Sequence, residues 1–269
     1  QAGKGLQMKI TFLGTSHGIT EKNAFCSSAL VTVGAARYLV DVGAPVDTLL
    51  ANLDVPLRDL RGAFITHPHQ DHYVGLAQLT YTVEDFGRFL DVAFPVLAPE
   101  GIDFAALNVF LWGDARGHDR YRVENPPERR IRFRVYPDAP AEGSVIFDDG
   151  ALRVTAYPVR HIPHSHAFLL EAEGKRVVFT GDLLRDLSDY PKLVTDPGAA
   201  PLDLVVTEAA HVRLNDPDTP RILGRSRTRV LVISHRAPGR NPLSAVEELA
   251  KQIAPIKVIA AYDGLETEI

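Results

Sequence analysis

Short apolar and β-branched runs recur along the chain at positions 9–13, 38–41, 63–66, 177–180, 204–207 and 230–234, the last five closing on a polar residue. Between them, stretches 45–53, 71–81 and 243–253 read as helices. Strands alternating with helices predict an α/β fold rather than strands followed by helices. A further strand-like run covers 152–159, and Glu173-Gly174 joins two more strands. Asn125-Pro126-Pro127 and Pro137-Asp138-Ala139-Pro140 mark loops inside one domain, since no low-complexity linker divides the chain. There is also a faint internal echo. Tyr38-Leu39-Val40-Asp41-Val42-Gly43 resembles Val177-Val178-Phe179-Thr180-Gly181-Asp182, and Phe64-Ile65-Thr66-His67 resembles Val232-Ile233-Ser234-His235. Two related halves, each with a strand ending at a histidine, suit a sandwich of two sheets flanked by helices.

Bulk properties narrow the classes. No apolar run approaches the ~20 residues needed to span a membrane, so no membrane partner is expected. The first seven residues read as a leader or an expression remnant without signal-peptide character, and residues 8–269 as one domain. A single cysteine, Cys26, excludes an intrachain disulfide framework and fits a reducing cytoplasm. In a loop near candidate ligands, Cys26 reads as structural. The net charge of −5 argues against indiscriminate nucleic-acid binding. Residues 116–134 depart from that mean, with seven arginines against three acids. Arg130, Arg132 and Arg134 alternate with Ile131, Phe133 and Val135, so a strand here would carry a solvated basic face over an apolar one. A phosphate-facing surface is the functional alternative.

The chemistry concentrates in Thr66-His67-Pro68-His69-Gln70-Asp71-His72, an H-x-H-x-D-H segment between an apolar strand and an amphipathic stretch. Imidazole and carboxylate suit zinc and similar divalent ions. A tight loop can aim His67 and His69 at one metal while Asp71 and His72 turn toward another. Two metals need about seven or eight protein contacts, so further donors are expected at downstream strand ends. His161, Asp182 and His235 follow strand-like runs in that way, and an aspartate directly after a buried strand can bridge two cations. Any lone histidine is more often a hydrogen-bonded structural residue. Coincidence is a poor account of the motif together with three such partners.

Taken together, these motifs resemble the metallo-β-lactamase superfamily, and within it the ribonuclease Z branch. Phe12-Leu13-Gly14-Thr15-Ser16-His17-Gly18 is similar to its opening strand and glycine turn, and Asp41-Val42-Gly43 to its acidic turn. Pro99-Glu100-Gly101-Ile102, the run from Asp148-Asp149-Gly150 through Val154 to His161, Glu208-Ala209 and Ile233-Ser234-His235 extend the likeness. It covers most of residues 8–264, with little match at 103–140 and 212–228. The resemblance implies a four-layer αββα sandwich of two mixed β-sheets flanked by helices. It also implies two divalent ions, with zinc as default and manganese or iron as alternatives. By it, His67, His69 and His161 hold one ion, Asp71, His72 and His235 the other, and Asp182 bridges. Counting back from Phe168-Leu169-Leu170-Glu171 favours His161 over His164 and His166 as the ligand, leaving those two as pocket groups.

The implied reaction is hydrolysis by a metal-bound hydroxide that Asp71 could orient. In ribonuclease Z the glutamate of the Glu-Ala motif works with a later histidine. Glu208 is present, that histidine is absent from 212–234, and His211 is the substitute proton donor. His17, His164, Arg236 and Arg240 are candidate substrate contacts, with structural roles or surface ion pairs as the plainer reading. The transfer-RNA-binding arm of the bacterial enzymes lies between the third histidine and the bridging aspartate. Here only twenty residues separate His161 from Asp182. A small phosphodiester or nucleotide-like substrate is therefore expected, rather than a long nucleic acid. Residues 104–112 are apolar enough for a lid, a pocket wall or a homodimer contact, although core packing accounts for most of them. Lactone, thioester or amide hydrolysis on the same ions is the competing enzymatic reading. A metal-binding module without turnover is the non-enzymatic one, and a di-iron oxygen-reducing protein lacks its usual carboxylate at His69.

Overall fold

In the computed structural model, which describes residues 7–19, 21–104 and 130–269, strand residues alternate between two packing layers. Tyr38 and Val40 of β3 (Ala36–Val42) face an inner core, and Leu39 between them faces an outer one. This is the two-residue period of a strand buried on both faces.

One sheet has the order β14-β1-β2-β3-β4-β5-β6, built from β1 (Met8–Gly14), β2 (Ser28–Val33), β3, β4 (Leu60–Phe64), β5 (Phe94–Pro99), β6 (Ile131–Tyr136) and β14 (Glu266–Glu268). The other has the order β13-β12-β11-β10-β9-β8-β7. Its members are β7 (Ser144–Asp148), β8 (Arg153–Pro158), β9 (His166–Ala172), β10 (Lys175–Phe179), β11 (Leu204–Ala209), β12 (Val230–Arg236) and β13 (Lys257–Ala260). Both sheets mix parallel and antiparallel pairs.

The inner core joins Phe12, Tyr38 and Phe64 of the first sheet to Phe168, Val206 and Val232 of the second. Outside the first sheet, Leu50 of helix Val46–Asn52 and Leu76, Leu79 and Val83 of helix Leu76–Leu90 cover Leu39, Ala63 and Ile65. Outside the second, Val246 and Leu249 of helix Leu243–Gln252 cover Val205 and Ile233. Helices this short are marginal alone in water. Each fully buried Leu or Val contributes about 1.5–3 kcal/mol, so packing on the sheets holds them. The result is the four-layer αββα sandwich. No helix among the described residues is long and apolar enough to cross a membrane.

Three local expectations are corrected. The helix expected over 71–81 is instead a 3-10 turn, Gln70–His72, followed by a helix starting at Leu76. Gly75 lies so close to the β3 turn that an added Cβ would meet Gly43 O at 2.6 Å and Val42 O at 2.7 Å. The chain therefore turns there before the helix can begin. The strand expected over 63–66 ends at Phe64. In β6, Ile131 and Phe133 are buried and Arg132 and Arg134 exposed, but Val135 is 55% exposed and Tyr136 buried. Tyr136 belongs to the inner core and donates its hydroxyl to Ile65 O, while Val135 lies on the opposite face. Apart from Phe104, which stacks on Phe133, the 104–112 segment lies outside the described residues.

The parallel strands β3 to β6 and β10 to β13 direct their C-terminal ends to one rim of the sandwich. Such rims are where α/β sheets gather functional groups.

Candidate metal centre

Three devices deliver side chains to that rim. The loop after β4 carries His67, His69, Asp71 and His72. Gly181, with φ +62°, turns the chain after β10 so that Asp182 is buried at the strand end. The third device is a pair of bulges. His235 is skipped in the β11–β12 register, which passes from Ser234 to Arg236, and Asp41 is skipped in the β2–β3 register. Both residues have left-handed backbone, φ +45° and +56°, uncommon for a residue with a side chain. Bulges re-aim side chains in this way beside functional sites.

Two groups of donor atoms result: His67, His69, His161 and Asp182, and beside them Asp71, His72 and His235. In the first, His69 Nδ1 lies 3.1 Å from both His67 Nε2 and His161 Nε2. A tetrahedral ion bound at about 2.0–2.1 Å holds its ligand atoms roughly 3.3 Å apart, so this nitrogen triangle fits one. In the second, Asp71 Oδ2 lies 3.6 Å from His72 Nε2 and 3.7 Å from His235 Nε2. Asp182 faces both groups. Its Oδ2 is 3.6 Å from His67, 3.7 Å from His161 and 3.3 Å from His235, and its Oδ1 is 3.5 Å from His72. Buried His72 Nε2 and Asp182 Oδ1 have no protein hydrogen-bond partner, a costly arrangement unless a cation takes their lone pairs. The donor set and its orphaned atoms fit divalent metals.

Asp41 supports the motif from beneath. Its Oδ2 lies 2.7 Å from His72 Nδ1, and its Oδ1 accepts bonds from Thr66 N at 2.8 Å and Thr66 Oγ1 at 3.0 Å. Thr66 Oγ1 in turn sits 3.0 Å from His67 Nδ1. One buried carboxylate thus orients a histidine of each group and leaves Nε2 facing inward.

Protonation is divided between the groups. Burial pushes His67 well below the usual imidazole range, lowers His69, and lowers His161 to about 4. Burial also acts against the charge of His72, but Asp41 and Asp182 overcome it and raise that histidine to about 10. His235 is raised in the same way, by Asp182 against burial. Burial opposes ionisation of Asp182, yet His235, His72 and His67 hold its carboxyl well below its ordinary value.

His211 stands at the edge of the centre, with Nδ1 3.5 Å from Asp182 Oδ2 and 3.4 Å from Glu208 Oε1. Glu208 is buried at the end of β11. Its Oε2 accepts His211 N at 2.9 Å and Ala210 N, and its Oε1 accepts Leu183 N at 3.3 Å. Glu208 therefore fixes the loop that presents His211, and bonding to Glu208, against burial, raises the His211 pKa.

The remaining candidates separate. His17 pairs with Glu21 and lines a cleft beside His211 together with Arg240. Arg236 does not line that cleft, and it donates to Asn241 O at 2.7 Å. His164 lies at the rim, 3.0 Å from Asp138. His166 is turned into the core, where its Nε2 accepts Ala139 N at 3.2 Å against the Tyr136 ring. Cys26 is half-buried, and burial, reinforced by Asp71, pushes its thiol up.

A family model described as Anti-Pycsar protein Apyc1 matches residues 8–88. The Apyc1 protein of Bacillus phage vB_BveM-Goe7 is 30% identical over 190 residues, covering 68% of this chain and 71% of the phage protein. A ribonuclease Z of Synechococcus sp. (strain CC9311) is 29% identical over 189 residues, 68% of this chain. The chain belongs to the metallo-β-lactamase superfamily, in its ribonuclease Z-like branch. It spans about half the length of that cyanobacterial relative, 55%. Among solved structures, the metallo-β-lactamase-fold protein YhfI from Bacillus subtilis matches with a TM-score of 0.72 at 19% identity, covering 98% of this chain and 100% of YhfI. That likeness is one of fold.

Proposed function

We propose that this protein is a metal-dependent phosphodiesterase acting on a small phosphodiester or short nucleotide at a dinuclear, zinc-preferring centre. The observation that carries the reading is the Asp182 carboxylate facing both ligand groups at once. His67, His69 and His161 would hold one ion and Asp71, His72 and His235 the other, with Asp182 shared. Bound there, the ions would supply hydroxide near neutral pH and neutralise charge developing on a phosphoryl oxygen. The Asp71 carboxylate could accept a hydrogen bond from the attacking group and so orient it. His211, positioned by Glu208, donates a proton to the departing alcohol.

The ribonuclease Z relatives support a phosphodiester. A small one is supported by the hairpin of β9 and β10, where Glu173 (φ +52°) and Gly174 (φ +72°) make a two-residue turn and leave no room for an arm. The test is hydrolysis of bis(p-nitrophenyl) phosphate by zinc- and manganese-loaded protein, against a panel of lactones and thioesters. Metal content of Asp182→Ala is measured in parallel. We expect phosphodiester turnover, and loss of both ions in the variant. Turnover confined to lactones or thioesters, or a variant that keeps two tight ions, overturns the reading.

A further inference from the structure

Beside His211 opens a cleft of about 760 Å³, lined by His17, His211, Arg213, Asn215, Gly239 and Arg240 among others. Its size lies within the usual range for small-molecule sites and exceeds what one phosphate needs. Two loops form facing walls, one following β11 and the other following β12. They are stitched together. Fully buried Asn241 donates to Ala209 O and Val212 O at 2.8 Å each and accepts Leu214 N at 2.9 Å. Ala237 N also donates to Ala209 O at 3.1 Å, and the Arg240 guanidinium donates to Ala210 O. These bonds preform the cleft, which lowers the ordering cost of binding.

The charge inside has one sign. Glu21 already pairs with His17, outside the lining. No carboxylate among the described residues forms an ion pair with Arg213 or Arg240, and the lining contains no acid. The Arg213 guanidinium, the remaining donors of Arg240 and the Asn215 amide, which all line the cleft, suit the oxygens of a phosphate. His211 joins this cleft to the metal centre, so one molecule can reach both.

We propose that the cleft binds a second phosphate, carried by the same substrate whose phosphodiester lies at the metals. This deepens the phosphodiesterase reading and rests on it. The substrate class becomes a nucleotide diester bearing a further phosphate monoester.

The test is calorimetric titration of the zinc-loaded full chain at physiological salt with thymidine 3′,5′-bisphosphate and with thymidine 5′-monophosphate. We expect the bisphosphate to bind roughly tenfold tighter or better, as charge-assisted contacts allow. Arg213→Gln and Arg240→Gln, both at exposed positions, should each reduce that ratio to about threefold or less. A wild-type ratio near one, or a ratio retained in either variant, overturns the proposal. Because binding is read without turnover, the two readings fail separately. A protein that hydrolyses diesters but shows no preference loses only the cleft assignment. One that shows the preference without hydrolysing any diester keeps the phosphate-binding cleft but loses the phosphodiesterase reading and, with it, the diester substrate class.

Discussion

Three histidines stand within six positions at 161, 164 and 166, and each has a different neighbourhood. His161 meets His69 and Asp182, His164 meets Asp138 at the rim, and His166 meets Ala139 and Tyr136 in the core. If His161 alone is a ligand, His161→Ala should lose one ion per chain. Loss of an outer partner typically costs only ~10–100-fold in affinity or activity, so His164→Ala and His166→Ala should keep both ions. Elemental analysis of the three variants decides this, and equal losses would remove the distinction. His211 calls for a different experiment. His211→Ala should retain its metals and nearly normal turnover of bis(p-nitrophenyl) phosphate, whose leaving group needs no proton. It should lose roughly 10²–10⁴-fold on a phosphodiester with an unactivated alcohol, the usual range for general acid catalysis. Equal loss on both substrates, or loss of zinc, discards the acid role. The ligand histidines and Asp182 are legible in the sequence because a strand-end histidine or aspartate is conspicuous. Asp41 and Asn241 could not be assigned their work, because it lies in partners such as Thr66 and Ala209, 25 and 32 positions away. Nothing local to an aspartate near a strand end, or an asparagine before a proline, announces a distant partner.

At the scale of elements, the glycine turn after β1 shows how a loop without ligands shapes the centre. Gly18 has φ +84°, and an added Cβ would lie 2.7 Å from Asp71 Oδ2. Asp263 secures the same turn, accepting Thr15 N at 2.9 Å and Thr15 Oγ1 at 2.6 Å through one oxygen and Phe25 N at 2.7 Å through the other. The turn therefore cannot retreat freely from a new methyl group. Gly18→Ala should displace the Asp71 carboxylate and reduce occupancy of the Asp71, His72 and His235 group, leaving the His67, His69 and His161 group filled. Metal titration that finds two equally tight ions in this variant would show that the turn can yield. The α/β alternation and several central strands are legible because their apolar runs, though short, contain no proline or glycine. Strand β5 is not, since it contains Pro95 and Pro99, residues that argue against an inner strand. Both prolines fall outside its short pairing with β4, which covers only Val96 and Leu97. The helix after the metal motif was misplaced for a related reason. Residues 71–81 have helix-like patterning, but Asp71 and His72 occupy a separate turn, and contact at Gly75 delays the helix to Leu76.

At the scale of the whole molecule, the two ligand groups, each drawn from both sheets, divide the proton inventory unevenly around one carboxylate. His67 and His161 are depressed by burial, His161 to about 4, so both are neutral in the metal-free protein at neutral pH. An ion entering that group displaces almost no protons, and its affinity should be nearly flat between pH 6 and 8. His72, raised to about 10, holds its proton at neutral pH, and His235 is shifted in the same direction by Asp182, so this group retains more protons than the first. An ion entering the second group must expel them, since a protonated imidazole cannot ligate. Its affinity should climb with pH, by up to about tenfold per unit for each proton displaced, until His72 titrates. Folding responds to pH in the opposite sense. A histidine with a raised pKa stabilises the metal-free fold fully below its unfolded value, about 6.5, and loses that contribution as pH rises through the folded value. The metal-free protein therefore loses this support over the same range in which the second ion binds more tightly. The gap in Tm between metal-loaded and metal-free protein should widen from pH 6 to 8. Calorimetry at pH 7 in two buffers of different ionisation enthalpy tests the asymmetry directly. We expect release of close to no protons when the His67, His69 and His161 group fills, and of about one or more, led by His72, when the Asp71, His72 and His235 group fills. Equal proton release in the two steps would mean that the ligand groups do not divide as the geometry divides them.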